Sequence, residues 1–110
     1  MKKNFQVRFL EEAIRFLKEL DEKTKSKILT DISKAERLKD PELFKKLRNE
    51  IWEFRTRFNK KQYRILAFWD KRDKQEILVI ATHGFIKKTM AVPDKEIQKA
   101  EKIRKIYFED

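Results

Sequence analysis

Cysteine is absent from these 110 residues, histidine and glycine each occur once, and proline occurs twice. Without cysteine there is no disulfide framework, no thiolate zinc site and no thiol nucleophile. A cytoplasmic setting fits such a chain. One histidine among scattered carboxylates does not suggest two-metal hydrolysis, so neither a metal nor another cofactor is expected. Long apolar runs are missing as well. The longest aliphatic stretch, Ile77–Ala81, is far too short to span a bilayer, and no leader-like apolar segment opens the chain. The basic residues are spread among strands rather than set on one strongly amphipathic helix, so a membrane role is not expected either. The lone glycine, Gly84, follows His83 where a strand is predicted to end, and there it predicts a special backbone conformation.

Positive charge is plentiful. Lys and Arg number 29 against 19 Asp and Glu, a formal net charge of +10 and a pI near 9.8. That balance predicts attraction to a polyanion such as nucleic acid or an acidic protein. Nine phenylalanines and a hydrophobic fraction of 40% supply a core for one domain over residues 1–110.

The hydrophobic period changes along the chain. Phe5–Phe9 alternates and predicts a short strand. Ala13, Phe16, Leu17 and Leu20 then share one helical face. Asp21 is a candidate N-cap for a second helix with its stripe at Ile28, Leu29, Ile32, Ala35 and Leu38. Asp40-Pro41 breaks the pattern, and Phe44 and Leu47 suggest a helical turn or loop. From Ile51 the period is two. Trp52, Phe54, Thr56 and Phe58 share one face, and Glu53, Arg55 and Arg57 the other. Asn59–Gln62 is a turn, Tyr63–Trp69 a strand, and Glu76–Thr82 a central strand. Pro93, Asp94 and Glu96 open a last helix. The expected order is β-α-α-β-β-β-α, an α+β domain with an antiparallel sheet packed against helices on one face. A greasy inner face beside a guanidinium-bearing outer face points to RNA.

Four segments carry a more specific signal: Ile51-Trp52-Glu53-Phe54-Arg55; Tyr63-Arg64-Ile65-Leu66 with Phe68-Trp69; His83-Gly84-Phe85-Ile86-Lys87-Lys88-Thr89; and Pro93-x-x-Glu96-Ile97-x-x-Ala100-x-x-x-Arg104. In this order they resemble the RelE-like toxins, in particular the phage-derived HigB-type branch of type II toxin–antitoxin systems. The resemblance spans essentially the whole chain. It implies a RelE-like small domain and a ribosome-dependent mRNA endonuclease acting in the ribosomal A site. It also implies a cognate antitoxin, often a helix-turn-helix DNA-binding protein in this branch.

RNA is cut without metal when a ribose 2′-OH attacks the adjacent phosphate. This needs a base, cations for the developing charge, and an acid for the 5′-oxygen. Arg64 is the first candidate: a charge inside an apolar strand must either pair, with Glu53 across the sheet, or meet a phosphate. Arg64→Ala is expected to leave folding intact and to abolish toxicity. Arg55 and Arg57 share a face and either line a groove or are simply solvated. The resemblance favours Arg55 as catalytic, while Glu53 stands where the family has a basic residue, leaving a carboxylate as a possible base. The resemblance likewise implies a catalytic role for Lys87 or Lys88. His83 is the one group that ordinarily titrates near neutrality, so it is an acid–base candidate. Arg57, Lys60 and Lys61 are expected to bind RNA. Tyr107 is expected in the core. The rival reading is a non-catalytic basic RNA-binding module, or a degenerate toxin that only binds its antitoxin.

Overall fold

The computed structural model describes residues 2–109. Its elements are β1 (Gln6–Phe9), α1 (Glu11–Lys18), α2 (Glu22–Arg37), β2 (Phe44–Arg48), β3 (Ile51–Phe58), β4 (Lys61–Asp70), β5 (Leu78–Lys87) and α3 (Asp94–Glu109). The α+β class is as expected, and the sheet has the order β1-β5-β4-β3-β2. Three details differ from the sequence reading. Phe44–Arg48 is an extra edge strand, antiparallel to β3, rather than a helical turn. The sheet is mixed, because β1 runs parallel to β5. Helices cover both of its faces.

The first face carries Phe54, Tyr63, Ile65, Ala67, Val79 and Ala81, packed against Ala13 and Leu17 of α1 and Ile28, Ile32 and Ala35 of α2. The second carries Ile51, Leu66, Phe68 and Ile80 beneath Ile97 and Ala100 of α3. Successive strand residues point to opposite faces, so a strand apolar at consecutive positions must be covered twice. Residues 63–68 of β4 are all buried.

Local chemistry sets the joints. Asp21 caps α2, its carboxylate accepting from the Thr24 amide at 2.8 Å. Asp40 Oδ1 accepts from the Glu42 amide at 2.9 Å, a side-chain turn that redirects the chain into β2. Asn59 and Lys60 both have positive φ, 51° and 64°, and form the two-residue link of the β3–β4 hairpin. β5 runs through Gly84 rather than ending before it, and Gly84 has no positive φ. Its smallness is used differently. A Cβ there would overlap the Phe16 ring, with Cε2 only 2.6 Å away, so glycine lets α1 lie close on the sheet.

One irregularity matters for everything after it. Leu66 pairs with His83 but Ala67 pairs with Ala81, so Thr82 is an extra residue in β5. Such a bulge reverses the strand's alternation beyond it. Ala81 faces α1 and α2, and so does Gly84. Thr82, His83, Phe85 and Lys87 lie on the α3 side.

Candidate functional site

α3 covers only part of the second face. Beyond its reach, β3, β4 and β5 form two open rungs. One holds Arg55, Arg64 and Phe85, and the next holds Arg57, Gln62 and Lys87. Side chains directly opposite on adjacent antiparallel strands stand about 5 Å apart. Three guanidinium groups and an ammonium are thereby gathered on one floor. Arg55, Arg57, Gln62 and Arg64 line a hollow of about 150 Å³ with Thr56 and Glu42.

Glu53 organises the floor from the rung below. Its carboxylate, itself buried, lies 2.9 Å from Arg64 Nε and 4.0 Å from Arg55 Nε. The Arg64 contact is a charge contact, because the N–H is not aligned on the carboxylate oxygen. Arg64 is only 3% exposed. Its terminal nitrogens donate to Gln62 Oε1 at 2.8 Å and to the Tyr63 carbonyl at 3.1 Å. Burial pulls the Arg64 pKa below its ordinary value, and the Glu53 charge opposes that. Arg64 thus pairs with Glu53 and also borders the hollow. With two cations on one carboxylate, the trio keeps a net positive charge.

Arg55 fixes the rim. Its Nη1 donates to the Pro41 carbonyl at 3.3 Å, and its amide donates to the Leu43 carbonyl at 2.9 Å. These bonds pin the loop that carries Glu42, an exposed carboxylate on the hollow's edge. Glu42 and Gln62 were not singled out from sequence. Glu42 lies just past a proline in a loop with no periodicity, and Gln62 reads as a turn residue.

The other candidates disperse. Lys87 shares the floor, on the rung of Gln62, whereas Lys88 lies past the end of β5 and is exposed. Lys60 sits at the tip of the hairpin. Lys61 falls on the same side of β4 as Tyr63, opposite to Arg57. His83 is 3% exposed, under the start of α3, and does not line the hollow. Its Nδ1 lies 2.9 Å from Thr82 Oγ1 and its Nε2 lies 3.1 Å from Glu96 Oε1. Burial pushes the imidazole pKa down, with Glu96 pulling the other way. Tyr107 packs edge-on against Phe68, and its hydroxyl donates to Asp70 Oδ2 at 2.7 Å. Asp70 also takes a two-pronged grip from Arg72, which holds its carboxyl well below the usual carboxylate range.

Among the described residues no group of three or more His, Asp or Glu side chains gathers as a metal cage, and no helix is long and apolar enough to cross a membrane. A family described as "Phage derived protein Gp49-like (DUF891)" matches residues 15–105. The chain belongs to that family. The matched span of this Gp49-like protein runs from within α1 to within α3, so it includes the whole basic floor and the loop at its rim. Comparison with curated proteins gives no match.

Proposed function

We propose that this Gp49-like protein is the toxin of a type II toxin–antitoxin pair, a HigB-type member of the RelE-like superfamily. In this reading it is a cytoplasmic endoribonuclease that cuts mRNA in the ribosomal A site and is neutralised by a cognate antitoxin. The observation that carries the reading is the two-rung floor of Arg55, Arg57 and Lys87 around the nearly buried Arg64, bordering a hollow and braced by a buried carboxylate. A planar guanidinium matches a phosphate with paired donors. Fixed cations stabilise charge that grows only in the transition state.

In this mechanism the 2′-oxygen attacks phosphorus while its proton passes to Glu42, the exposed carboxylate on the rim. The P–O5′ bond breaks, leaving a 2′,3′-cyclic phosphate. The departing 5′-oxygen takes a proton from Lys87. Arg64 and Arg55 hold the equatorial oxygens, and Arg57 holds the neighbouring phosphate. Glu53 is a positioning residue: it orients both guanidiniums from beneath. His83 serves as an anchor between β5 and α3. No metal or cofactor takes part.

A second reading has an observation of its own. Glu53 engages Arg64 in place of substrate, which favours a non-catalytic RNA-binding module or a toxin kept only for its antitoxin.

The test is expression from a tightly controlled promoter, with mRNA 5′ ends mapped against the Lys87→Ala and Glu42→Gln variants. Both residues lie at the solvent-facing margin of the floor, so both variants fold. Growth arrest with wild-type cuts inside translated frames, lowered about 100-fold or more in either variant, is the expected outcome. Soluble wild-type protein with neither arrest nor cuts would sink the nuclease and leave the binding module. Cuts unchanged in both variants would remove Glu42 and Lys87 from the chemistry.

A further inference from the structure

The first face also has a bare region, at the opposite end of β3 and β4. Past the end of α2 lies a cavity of about 410 Å³ whose walls include Phe5, Phe44, Trp52, Trp69 and Leu38. Leu38 is 44% exposed at its margin. An apolar concavity of this kind on an otherwise very basic surface is unusual enough to mark a binding site.

The rim is mainly positive, with Glu50 an exposed carboxylate in the adjoining hollow. Lys39 and Lys46 border the cavity, while Lys45, opposite Glu53, lends it only backbone. Lys71 Nζ sits 4.8 Å over the Trp69 ring and borders the adjoining hollow, which shares Lys46, Trp52 and Trp69. The cavity's one carboxylate, Asp40, is turned onto its own chain, accepting from the Glu42 amide. β2, which supplies Phe44, Lys45 and Lys46, is the outermost strand of the sheet, so one of its edges is unpaired. An extended segment can add there through backbone hydrogen bonds.

Nucleic acid fits the same charge, but the rings argue against it. Stacking a base requires an open aromatic face. Phe44 lies against Trp52 (4.9 Å, 26°) and against Phe54 (4.4 Å, 23°). Trp69 meets Trp52 edge-on at 5.6 Å, and its own face is taken by Lys71. What remains is a pocket for one bulky apolar side chain.

We propose that this cavity is a docking site for an extended acidic segment of a partner protein, which seats one bulky apolar side chain between Trp52, Trp69 and Leu38 and sets carboxylates against Lys39, Lys46 and Lys71. The site is separate from the arginine floor and stands whether or not that floor cleaves RNA.

The chain's two tryptophans both line this cavity, so intrinsic tryptophan emission reports on it without background. The full chain is titrated with a short capped peptide of alternating glutamate and leucine with a central phenylalanine. Polyglutamate of equal charge and a short single-stranded RNA are run in parallel. The proposal expects a saturable blue shift with the amphipathic peptide and none with polyglutamate. The changes Leu38→Glu and Lys39→Glu with Lys46→Glu should each weaken it about tenfold or more, with thermal unfolding unmoved. Lys87→Ala should leave it unchanged, which keeps this result apart from the nuclease test. Equal shifts with polyglutamate, or no shift with either peptide, overturn the proposal. A shift produced by the RNA and abolished by the same variants overturns it in favour of a nucleic-acid surface.

Discussion

The sheet is bare in two places, one on each face, and the two places differ in kind. On the second face, beyond α3, the floor is guanidinium and ammonium on two rungs. On the first face, beyond α2, it is indole and phenyl. Both are built largely from β3 and β4, and Trp52 and Glu53 are adjacent residues facing opposite ways. Each helix layer shields one end of the strands, and the uncovered ends are staggered. One ribbon of chain can therefore present polar chemistry and apolar docking without either intruding on the other. The loop before β2 rounds the sheet edge between them: Asp40 and Pro41 border the aromatic cavity, and Glu42 borders the basic hollow.

The sharpest way to probe that contrast is Arg64. Its side chain is buried against a buried Glu53, so Arg64→Ala is not silent for folding, contrary to what the sequence suggests. Removing one partner of a buried pair costs roughly 3–5 kcal/mol, measurable by urea denaturation. Arg64→Lys should recover a large part of that stability while RNA cleavage stays lost, because a point charge does not replace the planar fork. A lysine variant that cuts normally would reduce Arg64 to a structural residue.

Next is Trp69→Ala. Truncating a large aromatic costs about 3 kcal/mol or less where, as here, the ring is only partly buried. Cleavage per folded molecule should not change. A parallel loss of cleavage in the stable fraction would show that the two patches are coupled, and the contrast would fail.

The pH response is gentler. The folded His83 pKa lies below the unfolded value of about 6.5. The unfolded chain therefore takes up the proton first. This contribution to stability is complete above that unfolded value and is lost as pH falls from it through the folded pKa. Urea midpoints should drop on acidification across that window, and His83→Gln should flatten the drop. A flat wild-type profile would remove the histidine's linkage.

The smallest effect is expected at the hairpin tip. Lys60 holds a left-handed φ of 64° that costs a side-chain-bearing residue energy. Lys60→Gly should stabilise the fold by about 0.5 kcal/mol, the relief of strain being partly offset by glycine's entropy. If cleavage falls too, Lys60 belongs to the RNA contact.

Much of this was legible in the chain. The period-two pattern from Ile51 separates Trp52, Phe54 and Thr56 from Glu53, Arg55 and Arg57, and the structure keeps that division. β2 was not legible, because Phe44 and Leu47 are spaced as in a helical turn, and its register breaks between Lys46 and Arg48. Its strand character comes from pairing with β3. The second helical layer did have a signal. Apart from Arg64, residues 63–68 are apolar at consecutive positions, and that continuity, rather than any feature of α3, marks a strand covered on both faces. The Glu53–Arg64 contact joins strands across a rung, so sequence left pairing and phosphate binding as alternatives. The parallel partnership of β1 with β5 joins distant segments, and nothing local encodes it.

The extra residue at Thr82 acts as a phase shifter for the end of β5. Were Thr82 to pair as a regular strand residue instead of bulging, Phe85 and Lys87 would turn toward α1, while Ile86 would enter the cationic floor and Gly84 would no longer meet Phe16. The polarity of an entire sheet margin thus rests on one residue staying out of the regular pairing, where the Thr82 hydroxyl lies 3.1 Å from the Leu66 carbonyl. Straightening the strand at this point, with Thr82 kept, would act like a frameshift written in three dimensions: the composition unchanged, the inside and outside exchanged.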